Sequence, residues 1–373
     1  MSGAGEVHHV PALIVGGGPA GAAAAIMLAR AGMKPVVVDR SVGPHTCVCG
    51  SFMGWDALAS LRELGIDAFA LGARPITLLR VVANGQQVEL PLPHGAAGLS
   101  RAVLDAALIE AAADAGAMLM RGRSVRAVDP VDRSIRFDDG ARMAGDALFL
   151  ATGKYDLRGL SRQDSAGREP PSVGLRALLP PACARQPDLA GTIELHLFDH
   201  GYAGLLLQED GAVNLCLSVS RHRLAAAGGM AGLIDEIMRQ APALADRMGR
   251  VRPDHFDAVA GVPYGWRAQA VGPGIFRVGD QGAVISSLAG DGIAIALASG
   301  ISAARAMLTS GPDAAPDWQR AMRRGSRRPL GVADALRHGT SGPVGRAILM
   351  GLLNIAPGLG VYASLLTRIG GRI

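Results

Sequence analysis

The chain has 373 residues, 49% of them hydrophobic and 18% charged, with a formal net charge of +5. That balance excludes a disordered chain, and the length admits two or three domains' worth of core. The positive charge is nearly all arginine, with lysine only at Lys34 and Lys154, and aromatics at 4% give too few stacking rings for a nucleic-acid surface, so no nucleic-acid partner is expected.

No charged segment leads into a long apolar run at the N-terminus, so no signal peptide is expected and the default compartment is the cytoplasm. The first apolar run, Ala12 to Val15, has the length of a buried strand and leads into Gly16-x-Gly18-x-x-Gly21. A small-residue helix is expected over residues 19–31, and a second apolar run, Pro35 to Val38, ends in Asp39. These are the parts of a dinucleotide-binding βαβ unit, in order. Gly16 permits the tight turn, Gly18 lets a pyrophosphate reach the backbone, and Gly21 lets helix and strand pack closely. The helix N-terminus offers unpaired N–H groups to phosphate. Asp39 stands where a ribose hydroxyl needs an acceptor.

A turn-rich loop over residues 41–50 precedes a helix around residues 55–64. Residues 76–82 and 87–92 read as the strands of a hairpin about Asn84-Gly85. Ser100 caps a helix over residues 101–115, with Leu104, Leu108 and Ala111 on one face. Strands are expected at 124–128, 135–137 and 147–150, the last running into Ala151-Thr152-Gly153. From Val173 to Ser220 the pattern changes to short β-like runs, at 192–198, 204–207 and 213–219, as in a mostly antiparallel sheet. A helix over 232–239, a strand over 274–278 and a long small-residue helix from Gly292 follow. No second strand–G-x-G-x-x-G–helix unit occurs, which argues against a separate nicotinamide-nucleotide domain. Cys47-x-Cys49 has no second pair at zinc spacing, Cys183 and Cys216 stand apart, and the nine histidines form no ligand cluster, so no metal is expected. His8-His9 reads as a flexible terminal pair, and His196 and His200, at and just before a turn, as surface residues or as side chains facing the substrate.

Four stretches together resemble the FAD-dependent oxidoreductases that include the aromatic-ring hydroxylases, the flavin halogenases and the geranylgeranyl reductases, over roughly Val10 to Leu308. They are Gly16 to Gly21, Leu99-Ser100-Arg101 with Leu104-Asp105, Ser124-Val125, and Val278-Gly279-Asp280-Gln281 with Ala289-Gly290-Asp291-Gly292-Ile293. The resemblance implies FAD as cofactor. It implies that Gly16, Gly18, Ala20, Gly21, Asp39, Arg40, Cys49, Gly50, Arg101, Val125, Gly279, Asp280, Gly290, Gly292 and Ile293 hold it. A helix N-terminus at Gly292 would also stabilise the negative charge of a reduced flavin. The implied fold is α/β: a Rossmann-type FAD-binding domain (8–75, 97–160 and 269–320), an inserted, mostly antiparallel β-sheet substrate domain (76–96 and 161–268) and a helical C-terminal segment (321–373).

Where the ring hydroxylases carry an Asp-Gly motif tied to the reductant, this chain has Thr152-Gly153. Lys154, Arg158 and Arg162 there are either cations for a phosphate or an ordinary solvated turn. With one dinucleotide site, NADPH or NADH would visit transiently as reductant, or a partner would reduce the flavin. Cys49-Gly50 matches the geranylgeranyl reductases, where such a pair lies over the isoalloxazine. Cys49 is therefore the candidate catalytic residue, against the alternative of a small packing residue. Tyr202, Tyr264 and Trp266 are candidate substrate contacts. Gly204 stands where the reductases and halogenases of this family have Trp, which speaks against halogenation and, less firmly, against prenyl reduction. The resemblance then points first to a monooxygenase acting on a hydrophobic small molecule. The alternatives are a flavin-dependent ene-reductase of the geranylgeranyl reductase type and a non-catalytic flavin-binding redox protein.

After the basic run Arg323 to Arg328, residues 347–353 and 359–366 form two apolar helices, broken at Pro357-Gly358 and too short to span a bilayer. They read as helices packed on the substrate domain, as a lid for a lipophilic substrate, or as a surface for peripheral membrane contact. The sequence leaves the oligomeric state open.

Overall fold

The computed structural model describes residues 7–43, 47–162, 172–181, 189–253 and 255–369. Cys183 lies outside them. Two sheets divide the chain.

The first sheet is built on β1 (His8–Val15), α1 (Pro19–Arg30) and β2 (Pro35–Asp39). Of the later elements, β3 is Phe52–Met53, α2 Trp55–Glu63, β4 Arg74–Ala83, β5 Gln86–Gly98 and α3 Arg101–Asp114. Then come β6 (Met118–Arg121), β7 (Val125–Asp129), β8 (Ser134–Phe137) and β9 (Arg142–Leu150). The strand order is β6-β2-β1-β9-β8-β7, parallel from β6 to β9 and antiparallel beyond it. His8 and His9 pair in register with Met143 and Ala144, so they begin a strand and are not a flexible tail.

The second sheet adds β10 (Ser172–Leu179), β11 (Thr192–Phe198), β12 (Gly201–Leu207), β13 (Val213–Ser220) and β14 (Asp257–Val262). Its order is β14-β10-β13-β12-β11-β4-β5-β3, antiparallel except for the β11–β4 pair. One face is covered by α4 (Arg221–Ala226), α5 (Met230–Gln240) and α6 (Pro242–Met248) through a core that includes Leu175, Phe198, Leu217, Leu233 and Leu244. β15 (Ile275–Arg277) returns the chain to the first sheet beside β9. α7 (Gly292–Ser310) then packs on α1 so closely that a Cβ on Gly300 would collide with the Ala20 carbonyl oxygen.

The C-terminal helices split between the two halves. α8 (Ala315–Gly325) and α9 (Arg327–Gly339) bury Trp318, Met322, Leu330 and Ala333 in the nucleotide-side core. α10 (Pro343–Ile355) and α11 (Gly358–Leu366) lie on the second sheet, where Met350 and Leu353 pack with Val81, Leu90, Leu197 and Tyr202.

Candidate active site

Gly16 sits at φ +107°, and a Cβ there would strike the Ala151 carbonyl oxygen. A Cβ on Gly21 would strike the carbonyl oxygen of Gly16. Both positions therefore need glycine, and together they bring the N-terminus of α1 against the end of β1. Gly18 is the N-cap of α1 with no side-chain cap, so the first N–H groups of the helix stay open to a ligand. Asp39 ends β2 and accepts hydrogen bonds from the N–H groups of Gly17 (2.6 Å) and Ser41 (2.7 Å), which fixes its carboxylate beside the turn.

A cleft of about 640 Å³ starts at this turn and runs between the two sheets. Gly16, Gly18, Ala20, Asp39, Arg40, Arg101 and Val125 border its outer part, and Gly279, Asp280, Gly290, Gly292 and Ile293 its middle. Cys49 and Gly50 lie along the same wall. Gly21 is not on the cleft surface; its work is the helix–strand approach. Arg101 is held by a bidentate pair with Asp105 (both 2.8 Å), one turn on in α3. The cap of that helix, Ser100, is fixed by Glu209 from the far sheet at 2.6 and 2.8 Å. Arg40 stacks over Tyr155 at 4.0 Å at the mouth.

At the middle of the cleft Gly290 is left-handed, φ +74°, and a Cβ there would press on the Phe52 ring. It turns the chain into the N-terminus of α7, which carries no side-chain cap either. The preceding Asp291 is fully buried, met by Arg368 from beyond α11 and by the neighbouring Thr367 side chain, while its Oδ2 has no close hydrogen-bond partner among the described residues. Burial pushes its carboxyl up to about 7, against the opposing pull of Arg368. Asp56 lies within 3.5 Å of the same guanidinium.

The inner part is bounded by Val48, Gly174, Cys216, Leu217, Val259, Val262 and Tyr264. The Tyr264 hydroxyl is 2.7 Å from Ser287 Oγ and 3.4 Å from Ser218 Oγ. The Lys154 ammonium donates to the Val48 carbonyl (3.1 Å). Burial alone would lower its pKa, but Asp280, the Tyr264 phenol and the nearby thiols hold it above the ordinary value. Burial raises the Cys47 thiol to about 11 and the Cys216 thiol to about 12, so both stay protonated. Cys49 accepts the Ser51 N–H at 3.4 Å, and its own carbonyl is held by Asn214 (3.1 Å), which Arg176 braces at 2.7 Å.

Four sequence expectations change here. Trp266 does not line the cleft; it lies under the guanidinium of Arg277 at 4.9 Å, because the chain turns at Gly265 before it reaches the cavity. Tyr202 is buried against Met350 and Leu353 and reaches the cleft only through its hydroxyl, which bonds Ser287 of the wall. His196 is 1% exposed, because residues of β11 alternate and its face turns onto the helices. It sits 2.6 Å from Glu194, whereas His200 is exposed. Arg162 is not available for a phosphate either: it is buried and bound to the carbonyls of Gly153, Lys154 and Asp280. Sequence reasoning missed Ser287, Cys216 as a cleft residue, and Arg368. For Arg368 a signal existed, since it is one of only two charged residues in the apolar stretch 343–369.

Residues 9–136 match a family model described as an FAD binding domain. The cleft fits that group: it has two uncapped helix ends for phosphate and the flavin pyrimidine, a ribose acceptor at Asp39, and a volume in the range of cofactor sites. The chain is 29% identical over 340 residues to menaquinone reductase of Mycolicibacterium smegmatis, covering 87% of this chain and 83% of that one. It is an FAD-dependent oxidoreductase. Squalene monooxygenase of Candida glabrata is 35% identical to this flavoprotein over 98 residues, 26% of this chain and 20% of that one. In fold the flavoprotein is similar to flavin-dependent brominase Bmp2, with a TM-score of 0.76 and 18% identity over 98% of this chain and 96% of that one.

Proposed function

We propose that this flavoprotein is a reductase of a lipophilic substrate of the quinone class. What supports the reading is the reach of its similarity: 340 residues align with a menaquinone reductase, against 98 with a squalene monooxygenase. The longer alignment takes in the substrate sheet as well as the nucleotide half.

The chemistry of the cleft agrees. Bound FAD supplies the two-electron exchange with substrate. Asp39, Arg101 and the open ends of α1 and α7 bind it, and Cys49 and Gly50 form the wall beside it. Val48, Val259, Val262 and Leu217 exclude water from the inner part and leave room for an apolar body. Gly204, opposite Cys216 in register, keeps that face of the sheet free of a bulky side chain. Tyr264 Oη holds the proton that a reduced substrate must gain, and Ser287 Oγ orients it at 2.7 Å. The reductant is NADPH or NADH entering transiently at the mouth, where Arg40, Arg123 and Arg126 border the cleft. The protein works in the cytoplasm, on a substrate drawn from an apolar phase.

Monooxygenation of a hydrophobic small molecule is the second reading, favoured by the squalene monooxygenase match and by glycine at position 204. One experiment separates the two. Reduced FAD-loaded protein is mixed with a menaquinone with oxygen rigorously excluded, and the product is weighed by mass spectrometry. A product two hydrogens richer is expected. No turnover without oxygen, with a product one oxygen heavier in air, would replace the reductase with the monooxygenase.

A further inference from the structure

Helices α10 and α11 meet at 114° across Ala356-Pro357; α10 has one face buried and one open, and α11 has no fully buried residue. The open face of α10 carries Val344, Ile348, Leu352 and Ile355, exposed by 72, 59, 48 and 86%. Their spacing of four, four and three is one stripe of a helix. Leu359, Tyr362 and Leu365, exposed by 49, 59 and 37%, continue it on α11 at spacings of three.

The charges in this segment are all turned the other way. Between residues 343 and 369 only Arg346 and Arg368 are charged. Arg346 is buried against Asp199 (2.6 Å) and Asn84 (3.3 Å), and Arg368 against Asp291 and Asp56. An outer face that is apolar and free of charge over both helices costs solubility, so something apolar must be able to cover it. At 13 and 9 residues the helices are about 20 and 14 Å long, too short for the hydrocarbon core. The surroundings are basic: from Trp318 to Ile369 there are eight arginines against the single acid Asp334, and Arg324, Arg327 and Arg328 are exposed.

We propose that the α10–α11 stripe docks the protein onto an anionic lipid bilayer, lying in the interface rather than crossing it. The bend lets both helices lay their apolar side chains into the acyl boundary while the arginines of α8 and α9 meet the headgroups. The packed face of α10 reaches inward: Met350 and Leu353 join Tyr202 and Leu288, next to Ser287 of the cleft wall. The inference rests on exposure and charge alone and stands apart from the choice of reaction.

The test uses the full-length, FAD-loaded protein and no substrate. Sedimentation with vesicles of equal parts phosphatidylcholine and phosphatidylglycerol should pellet it, phosphatidylcholine vesicles should bind it more weakly, and high salt should release part of it. Ile355→Glu with Leu359→Glu should lower the bound fraction on the anionic vesicles by about tenfold or more, whereas Val131→Glu, exposed on the β7–β8 turn, should bind as the parent does. Equal binding by the parent and the double variant would overturn the proposal. So would a parent that ignores both vesicles, or light scattering that shows a dimer split by the double variant without any vesicle binding. Should FAD content show the double variant misfolded, Tyr362→Trp serves instead: its emission should shift to the blue on anionic vesicles, and an unchanged spectrum overturns the docking.

Discussion

Glu194 in the substrate sheet and Asp291 at the head of α7 are both acids with 1% or less of their surface exposed, and both face arginine. Their carboxyls nonetheless move in opposite directions. Burial alone would raise Glu194, but four donor contacts, from His196 (2.6 Å), Arg247 (3.1 and 2.6 Å) and Arg80 (2.8 Å), hold it well below the ordinary carboxylate range. Burial raises Asp291 to about 7, where Arg368 and the Thr367 side chain pull it down, Oδ2 has no close partner among the described residues, and Asp56 adds a second negative charge. A buried carboxylate stays ionised when donors saturate both its oxygens, and a single cation is not enough. Glu194 ties β11 to β4 and α6. Asp291 stands beside the open N–H groups that face the cofactor, where a poised charge matters to what binds there.

The largest break in this contrast should come from Glu194→Ala. It takes away the buried carboxylate that His196, Arg247 and Arg80 share, and although Arg80 keeps Glu89 at 2.9 Å, about 3 kcal/mol of unfolding free energy should be lost in a denaturant titration. FAD bound per folded chain should stay the same, since the cleft lies on the other face of the sheet. Loss of FAD without loss of stability would show that Glu194 belongs to the active site.

Arg368→Met removes the one cation that meets Asp291. Without that opposing pull the Asp291 carboxyl should rise further above about 7, so a cost that grows to about 1–3 kcal/mol, and a readier loss of FAD once a carboxylate forms beside the α7 N-terminus, should appear only in alkaline buffer. Near pH 5 Asp291 takes up a proton and both effects should shrink. An effect independent of pH would assign Arg368 a packing role only.

The pH profile sharpens the comparison further. A carboxyl raised in the folded state binds a proton there that the unfolded chain has already released. The contribution of Asp291 is therefore full below about pH 4, the ordinary range of an aspartate, and is lost as pH rises towards about 7. Glu194 has the opposite sign: its contribution is present above the ordinary carboxylate range and is lost as pH falls through and below it. Asp291→Asn should remove the first slope, up to about 1.4 kcal/mol per pH unit between those limits, and leave the second. Chemical unfolding at several pH values checks this, and a variant with the parent's slope would return Asp291 to ordinary behaviour.

The smallest effect is expected for Cys49→Ser, on the cleft wall and outside either network. FAD content and turnover should hold, with stability changed by less than about 1 kcal/mol. A rate lower by about 10²-fold or more with full FAD content would make Cys49 a proton donor.

Much of the nucleotide half was legible in the sequence. Gly16, Gly18, Gly21 and Asp39 carry local requirements of backbone geometry and charge, and local requirements leave local signatures. Ser100 as a helix cap and Asn84-Gly85 as a hairpin turn were readable for the same reason. The substrate side was less so. β6, β10 and β14 went unnamed, being short or polar on one face, and Tyr202, Trp266 and His196 were placed by sequence position when strand alternation and one turn decided their direction.

The sequence by itself therefore determined the dinucleotide unit, the flavoprotein resemblance and the apolar character of the C-terminal helices, because each is written in contiguous residues. Only the tertiary structure decided which face of α10 and α11 is covered, that Arg346 and Arg368 turn inward, and that Glu194 is saturated while Asp291 is left poised. Those outcomes depend on partners far apart in the chain, with Arg368 and Asp291 separated by 77 residues and Arg346 and Asp199 by 147. Burial and charge compensation belong to the assembled interior, where a donor's distance, and not its place in the sequence, sets the energy.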